Sequence, residues 1–372
     1  MSAPSWAIWV TGLPGSGKSA VARALAARLQ AAGEPVTVLE LDVLRRTITP
    51  EPTYSDAERE VVYRSLVHFA RLLTRHGVPV IIDATGHRRA WRDLARATIP
   101  HFAEVQLVCP LEVARERERA RTAGHAPRGI YAAAGRPGAT VPGVDVAYEP
   151  AEAPELTVDT AAVDVAAAAA QIEPLARRLG REAPARRPRG TPAWAMWITG
   201  LPGSGKSTLA DAVAGLLAER GIEAEVLAVD DLRRFVVPHG AGAPAVEDAL
   251  HRALVCAARL LTEAGVPVII DATAPRRVWR ELARTLIGRY AEVQLECPPA
   301  LCRARERAVR WNPVLCAHGP ARAAIDEGPE LALDYERGGQ PALTIHTHVR
   351  DVWSATQDIE RLARRLHRDA SR

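Results

Sequence analysis

The chain alternates short apolar runs with longer amphipathic stretches along its whole length. Stretches such as Asp56–His76 and Arg88–Thr98 repeat apolar residues at the spacing of a helix. The apolar runs of the first half indicate five strands: Ala7–Thr11, Val36–Leu41, Val78–Asp83, Glu104–Val108 and Leu156–Val158. Strands that are apolar on both faces are typical of a parallel sheet covered by helices. The pattern therefore predicts an α/β fold in which helices cover both sides of a mainly parallel sheet.

The sequence repeats itself at a spacing of 188 residues. The run 78–85 (VPVIIDAT) recurs unchanged at 266–273, and 103–107 (AEVQL) recurs at 291–295. A repeat of this length indicates a duplicated domain rather than a short-period solenoid. The segment between the copies is rich in Pro, Arg and Gly and has no apolar period. We predict domains over 1–180 and 193–372, joined by a linker over 181–192.

Each half carries the string GLPGSGKS between a predicted strand and a predicted helix. It fits the phosphate-binding loop pattern G-x-x-x-x-G-K-[ST], in which backbone amides and the lysine hold the phosphates of ATP. Lys18 and Lys206 are the only lysines of the chain, and a compact ammonium enters a ring of N–H groups better than a guanidinium does. The predicted fold is therefore two tandem P-loop NTPase-type α/β/α domains. The predicted nucleotide-binding residues are Gly12, Leu13, Pro14, Gly15, Ser16, Gly17, Lys18 and Ser19, then Gly200, Leu201, Pro202, Gly203, Ser204, Gly205, Lys206, Ser207 and Thr208.

A carboxylate follows the second predicted strand of each half. Asp42 precedes Arg45 at the same spacing as Asp230 precedes Arg233. At a strand end beside the phosphate loop, this carboxylate can orient water around Mg²⁺ or accept a hydroxyl proton, and the arginine can clamp an anion. The alternative is an N-cap that starts the next helix. The predicted catalytic residues are Lys18, Asp42, Lys206 and Asp230, and the predicted metal ligands are Ser19, Asp42, Ser207 and Asp230. Metal binding through water and helix capping both remain open for two aspartates that end the third strand: Asp83 and Asp271.

Composition narrows the class of protein. The formal net charge is only +4, and arginines alternate with glutamates in runs such as 115–119, which favours a solvated helix face over nucleic-acid binding. The five cysteines are odd in number and lack a C-x-x-C spacing, which favours reduced thiols over disulfides or zinc. No signal peptide and no long apolar run are present, so we expect a cytoplasmic protein without a membrane span.

The first half resembles the adenylyl-sulfate kinase family over nearly its whole length. The resemblance is carried by the phosphate loop and, in order, by 41–45 (LDVLR), 54–59 (YSDAER), 110–113 (PLEV), 129–131 (GIY), 143–150 (GVDVAYEP) and 153–156 (APEL). It implies transfer of the γ-phosphate of ATP, with Mg²⁺, to the 3′-hydroxyl of adenylyl sulfate in sulfate assimilation. Because family members commonly pair, the duplication predicts a pseudo-dimer within one chain or a homodimer.

The resemblance also implies roles for individual residues. Asp42 would be the catalytic, metal-linked carboxylate. Arg117 would flank the ATP base, and Arg305 is its counterpart in the second half. The segment 128–148 would form a lid over both nucleotides. The implied substrate-binding residues are Arg45, Arg59 and Arg64, with Arg233 in the second half.

Several positions depart from the family pattern. Ala84 and Val141 stand where two phenylalanines sandwich the substrate adenine, and 40–43 reads ELDV instead of DGDN. Each stacked ring is worth roughly 1–3 kcal/mol. The second half lacks counterparts of the GIY and GVD segments. Two alternatives therefore remain: a P-loop kinase for another small alcohol or nucleotide, and a nucleotide-binding regulatory or scaffold protein with one idle half.

Overall fold

The chain forms two compact units, 1–189 and 190–372. This computed structural model describes residues 5–122, 124–183, 192–237, 244–311 and 335–370. The described helices and strands of the first unit are β1 (Trp6–Thr11), α1 (Lys18–Ala31), β2 (Thr37–Glu40), α2 (Leu41–Ile48), α3 (Asp56–Arg75), β3 (Val80–Asp83), α4 (Arg89–Thr98), β4 (His101–Val108), α5 (Leu111–Ala120), β5 (Leu156–Asp159) and α6 (Val165–Glu182).

The second unit has the same elements in the same order within its described residues. They are β6 (Ala195–Gly200), α7 (Lys206–Ala218), β7 (Glu225–Ala228), α8 (Val229–Val236), α9 (Pro244–Glu263), β8 (Val268–Asp271), α10 (Arg277–Leu286), β9 (Tyr290–Glu296), α11 (Pro299–Trp311), β10 (Leu343–His346) and α12 (Val352–Ala370).

Both sheets are parallel and share one strand order. The first runs β2-β3-β1-β4-β5 and the second β7-β8-β6-β9-β10. The strand with the phosphate loop is central in each, and its residues pair on both sides, as in Ile8 with Ile81 and with Ala103. The chain order reverses on either side of this central strand, which is where open α/β sheets place their ligands.

The central strand is buried on both faces because its alternate residues enter two different cores. Ile8 and Val10 pack with residues of α1 and α6. Trp9 points the other way, fully buried, and its indole N–H donates to the carbonyl oxygen of Ala84 at 2.9 Å. Trp197 makes the same bond to Ala272 at 2.9 Å. This indole bond fixes the loop that follows the third strand, which borders the candidate site.

The predicted parallel α/β fold is confirmed. Several element boundaries differ from the predicted ones, and two of these differences bear on the site and on the linker. Strand β2 ends at Glu40, and Leu41 begins α2, so Asp42 lies in the first turn of a helix rather than just beyond a strand. Helix α6 continues through Glu182, two residues into the predicted linker, and 184–191 lie outside the described residues. Within the described part of the chain, no helix combines the length and apolar character needed to cross a bilayer.

Candidate active site

The two glycine-rich strings form loops between the central strand and the next helix. Helix α1 begins at Lys18, directly after Gly17, which has the left-handed φ of 92°. At Gly15 a side chain would overlap the backbone carbonyl of Ala114, so only glycine lets the loop approach α5. Lys18 Nζ donates to the carbonyl oxygen of Leu13 at 2.9 Å and therefore curls over the loop. Strand, glycine loop and helix N-terminus together form an anion site.

Two carboxylates surround the ammonium of Lys18. Burial lowers the pKa of Lys18, while the charges of Asp83 and Asp42 oppose this shift. Asp83 is buried, and this burial raises its pKa against the charge of Lys18 and a hydrogen bond with Ser19. The glycine-rich loop thus brings together a lysine, two aspartates and a serine whose charges and hydrogen bonds interact.

The second unit reproduces this set. Lys206 Nζ donates to the carbonyl oxygen of Leu201 at 3.1 Å. Burial lowers the pKa of Lys206, opposed by Asp271 and Asp230. Burial raises the pKa of Asp271, opposed by a hydrogen bond with Ser207 and the charge of Lys206.

Neither Asp42 nor Asp83 is the N-cap residue of the helix that follows its strand. The N-cap residue of α2 is Glu40, and that of α4 is Arg88. Asp42 and Asp83 instead line one cavity of about 800 Å³ together with Lys18. Asp83, which the sequence left open between two roles, therefore joins Asp42 as a candidate metal-linked carboxylate.

The side chains beside the glycine-rich loop carry oxygen atoms of the kind that Mg²⁺ binds. Among the described residues, no group of three or more His, Cys, Asp and Glu side chains could hold a metal alone. Mg²⁺ usually takes only one or two carboxylates from the protein and completes its shell with water and substrate phosphates. Ser19, Asp83 and Asp42 supply oxygen donors of this kind, so the residues present fit Mg²⁺ bound together with ATP.

The predicted acceptor arginines occupy three different settings. Arg45 lies in the cavity wall and pairs with Glu58 at 2.6 Å, with both side chains nearly buried. Arg59 also lines the cavity, and it contacts Thr140 rather than a carboxylate. Arg64 does not line it and pairs with Glu60 at 3.3 Å. Five residues along α3 turn a side chain by about 140°, which carries Arg64 away from the face of Arg59.

Arg59 is the centre of a polar cluster at one end of the cavity. We call Arg59, His87 and Thr140 the Arg59 cluster. Arg59 Nη1 lies 3.2 Å from His87 Nε2, and Arg59 Nη2 donates to both oxygens of Thr140, at 2.7 and 2.6 Å. Burial, together with Arg59 and Arg88, lowers the pKa of His87 to about 4. His87 is therefore neutral near pH 7, and the cluster carries the positive charge of Arg59.

The predicted lid segment packs against the phosphate loop. The Tyr131 hydroxyl donates to the carbonyl oxygen of Pro14 at 2.8 Å. The buried carboxylate of Glu118 accepts from the backbone N–H groups of Gly129 and Ile130, at 2.8 and 3.2 Å. The Tyr148 hydroxyl lies 3.0 Å from Thr11 Oγ1 at the end of β1. Both ends of this segment are thus tied to the site.

Arg117 also lines the cavity and is held by contacts to Thr160. Its guanidinium donates to Thr160, at 3.2 Å to Oγ1 and 2.7 Å to the carbonyl oxygen. Thr160 Oγ1 in turn donates to the carbonyl oxygen of Ser16 in the phosphate loop at 3.0 Å. Arg305 makes the equivalent bond to the carbonyl oxygen of Thr347 at 2.8 Å. Helix spacing alone predicted a solvated arginine, so the resemblance was the signal that found this position.

Comparison with known proteins places the chain in a family. The family model described as adenylylsulphate kinase matches residues 4–159 and 192–310. The chain belongs to this family. It is therefore a kinase-type enzyme with two family units. A probable adenylyl-sulfate kinase of Archaeoglobus fulgidus is 40% identical over 159 residues, which cover 42% of this chain and 96% of the relative. An adenylyl-sulfate kinase of Synechococcus sp. (strain JA-3-3Ab) is 38% identical over 156 residues, 41% of this chain and 84% of the relative.

Two solved structures of APS kinases are also similar to this chain. The structure of the Mycobacterium tuberculosis APS kinase in complex with AMPPNP and APS is 30% identical, with a TM-score of 0.37, and covers 47% of this chain and 98% of that chain. A hexameric APS kinase from Thiobacillus denitrificans is 17% identical, with a TM-score of 0.33, and covers 96% of this chain and 65% of that chain.

Proposed function

We propose that this chain is an ATP-dependent phosphotransferase that transfers the γ-phosphate of ATP to the 3′-hydroxyl of adenylyl sulfate. The observation that carries the proposal is that one cavity of the first unit is lined by all the groups that the reaction needs. It joins the loop lysine Lys18 and the carboxylates Asp42 and Asp83 to the cationic Arg59 cluster. Phosphoryl transfer needs positioning and charge stabilisation more than covalent chemistry, and these residues supply both.

Each group has a defined task in this proposal. The loop amides and Lys18 hold the triphosphate, and Ser19 with Asp42 and Asp83 would hold Mg²⁺, which neutralises phosphate charge. Asp42 positions the acceptor hydroxyl or accepts its proton. Asp230, Lys206 and Ser207 would take the same tasks on the nucleotide side of the second unit.

The remaining groups of the first unit bind and enclose the substrates. The Arg59 cluster binds the anionic end of adenylyl sulfate, because its guanidinium is buried and has no ion pair with a carboxylate among the described residues. Arg117 borders the nucleotide. The 128–148 segment closes over the site through Tyr131 and excludes water, which favours transfer to the acceptor over hydrolysis.

A second acceptor class is favoured by two side chains of the cavity wall. Ala84 and Val141 are buried and line the cavity; they are the positions where the family pattern has two phenylalanines. Without these rings an adenine has no stacking partner at either position. A smaller alcohol or another nucleotide is therefore the second candidate for the acceptor.

A competition experiment separates the two candidates. The purified full chain would be incubated with ATP labelled at the γ-phosphate and an equimolar panel of adenylyl sulfate, nucleosides, sugars and polyols. We expect the label in 3′-phosphoadenylyl sulfate, and its loss in Asp42→Asn. Label transferred to another alcohol but not to adenylyl sulfate would establish the second candidate. If ATP is hydrolysed and no acceptor becomes labelled, both candidate functions are contradicted.

A further inference from the structure

The acceptor ends of the two units differ in charge at one pair of equivalent positions. Arg59 is the fourth residue of α3, and Glu247 is the fourth residue of α9, 188 positions later. Their neighbours confirm the equivalence. Trp91 Nε1 donates to Glu60 at 2.7 Å, and Trp279 Nε1 donates to Asp248 at 2.8 Å. The helices therefore superpose in register, and a glutamate stands where the first unit has its buried arginine.

This exchange changes the carboxylate partner of the arginine on the preceding helix, which is Arg45 in the first unit and Arg233 in the second. In the first unit Arg45 pairs with Glu58 and leaves Arg59 without a carboxylate partner among the described residues. In the second unit Val246 replaces that glutamate, and Arg233, the counterpart of Arg45, donates two hydrogen bonds to Glu247, one of 2.9 Å. Although burial raises the pKa of Glu247, the bonds and charge of Arg233 lower it overall. Glu247 is thus ionised and neutralises Arg233.

One member of the Arg59 cluster, His87, and the nearby Tyr63 are also replaced in the second unit. Pro275 stands at the position of His87. His251 stands at the position of Tyr63, stacks on Trp279 with ring centroids 4.0 Å apart, and has its pKa lowered by burial. The set Arg45, Glu58 and Arg59 carries a formal charge of +1, whereas Arg233, Val246 and Glu247 sum to zero. A buried anion requires a cationic or donor-rich partner, and only the first set provides it.

We propose that Glu247 is a specificity residue that excludes anionic acceptors from the second unit, so that the two phosphate loops of this chain serve acceptors of different charge. The first unit takes an anionic acceptor through Arg59, and the second takes a hydroxyl compound without an anionic group at this position. Glu247 acts through Arg233, which would clamp an anion if it were released. This inference rests on the proposed function in one respect, which is that the acceptor binds at the Arg59 cluster.

Anomalous scattering from selenate tests the proposal in crystals of the full chain loaded with Mg·AMPPNP. The nucleotide fills both phosphate loops, so bound selenate reports the acceptor ends. We expect one selenate per chain, bound by Arg59 and Thr140 together. Glu247→Gln, which keeps the shape of the side chain and removes its charge, should gain a second selenate at Arg233. Arg59→Gln should lose the first.

A neighbouring acid on α9 provides the matched control. Asp248→Asn removes the same charge, but Asp248 pairs with Arg252 at 2.6 Å rather than with Arg233, so it should gain no second selenate. Selenate at Arg233 in the wild type, its absence in Glu247→Gln, or its absence at Arg59 in the wild type would each overturn the proposal. A wild type that binds selenate only at Arg59 but fails to phosphorylate adenylyl sulfate would instead contradict the proposed function.

Discussion

The buried ion pair between Arg92 and Glu104 is predicted to stabilise the first unit and to shape its acceptor end. Arg92 Nε lies 2.6 Å from Glu104 Oε1, and the two side chains are 0% and 5% exposed. The same guanidinium donates to the carbonyl oxygens of Gly86 and Glu149, which flank His87 and the end of the lid segment. Arg92 therefore links α4 to β4 and to the two backbone segments that contain Gly86 and Glu149.

Glu104→Gln should lower the stability of the first unit by about 3–5 kcal/mol, the range for breaking one side of a buried pair. Burial raises the pKa of Glu104 despite the neighbouring guanidinium, so desolvation offsets much of the attraction. The cost comes mainly from the Arg92 charge left without its counter-ion. For a unit of this size, the loss corresponds to a fall in Tm of about 6–20 °C.

Thermal denaturation of the full chain, followed by calorimetry, measures this loss. Glu292→Gln removes the equivalent partner of Arg280, and this pair is 3.3 Å apart with exposures of 0% and 1%. The thermal transition that shifts in this variant belongs to the second unit. The exposed pair Arg89–Asp93, at 3.8 Å, is the control and should cost less than about 1 kcal/mol when broken.

A second variant separates stability from the shape of the site. Arg92→Met also releases the carbonyls of Gly86 and Glu149, so it should raise KM for the acceptor, whereas Glu104→Gln should mainly lower Tm. The reasoning would be refuted if Glu104→Gln unfolded within 1 °C of the wild type, or if Arg92→Met left the KM of the acceptor at its wild-type value.

Three further predictions concern the site itself. Lys18→Ala should reduce the Mg·ATP sites titrated per chain from two to one, because the loop loses its ammonium; two sites in this variant would contradict the assignment. Asp83→Asn should raise the Mg²⁺ concentration for half-maximal turnover by about 10–100-fold, and an identical Mg²⁺ dependence would count against it. Because burial lowers the pKa of His87 to about 4, the wild type should lose stability as pH falls from about 6.5 towards 4. His87→Gln should reduce this loss, and parallel Tm profiles would disprove the link.

The sequence predicted the fold well because its signals are local and strong. Apolar runs such as Val78–Asp83 are short, contain β-branched residues and repeat in the second half, so both strand type and duplication follow from the pattern. The sequence placed Leu41 at the end of a strand, whereas it is the first residue of α2. A buried leucine suits both positions equally. Propensity does not distinguish these states when both positions are buried.

The candidate site was predicted less completely than the fold because side-chain direction depends on tertiary contacts. The pattern could not separate metal binding from capping at Asp83. The structure rejects capping, because Arg88 is the N-cap residue of α4 and Asp83 lines the cavity with Lys18. His87 and Thr140 lie 28 and 81 residues from Arg59, a separation that no local pattern reports. Arg64 illustrates the opposite case, since the resemblance named it and α3 directs it away from the cavity.

The most direct test of the central claim is phosphorus NMR of the full chain with Mg·ATP and adenylyl sulfate. The account predicts that ADP and a phosphomonoester on the ribose 3′-oxygen of the acceptor appear at equal rates, and that Lys18→Ala slows both by at least about 100-fold. ATP converted only to ADP and inorganic phosphate, or transfer by Lys18→Ala at the wild-type rate, would contradict it.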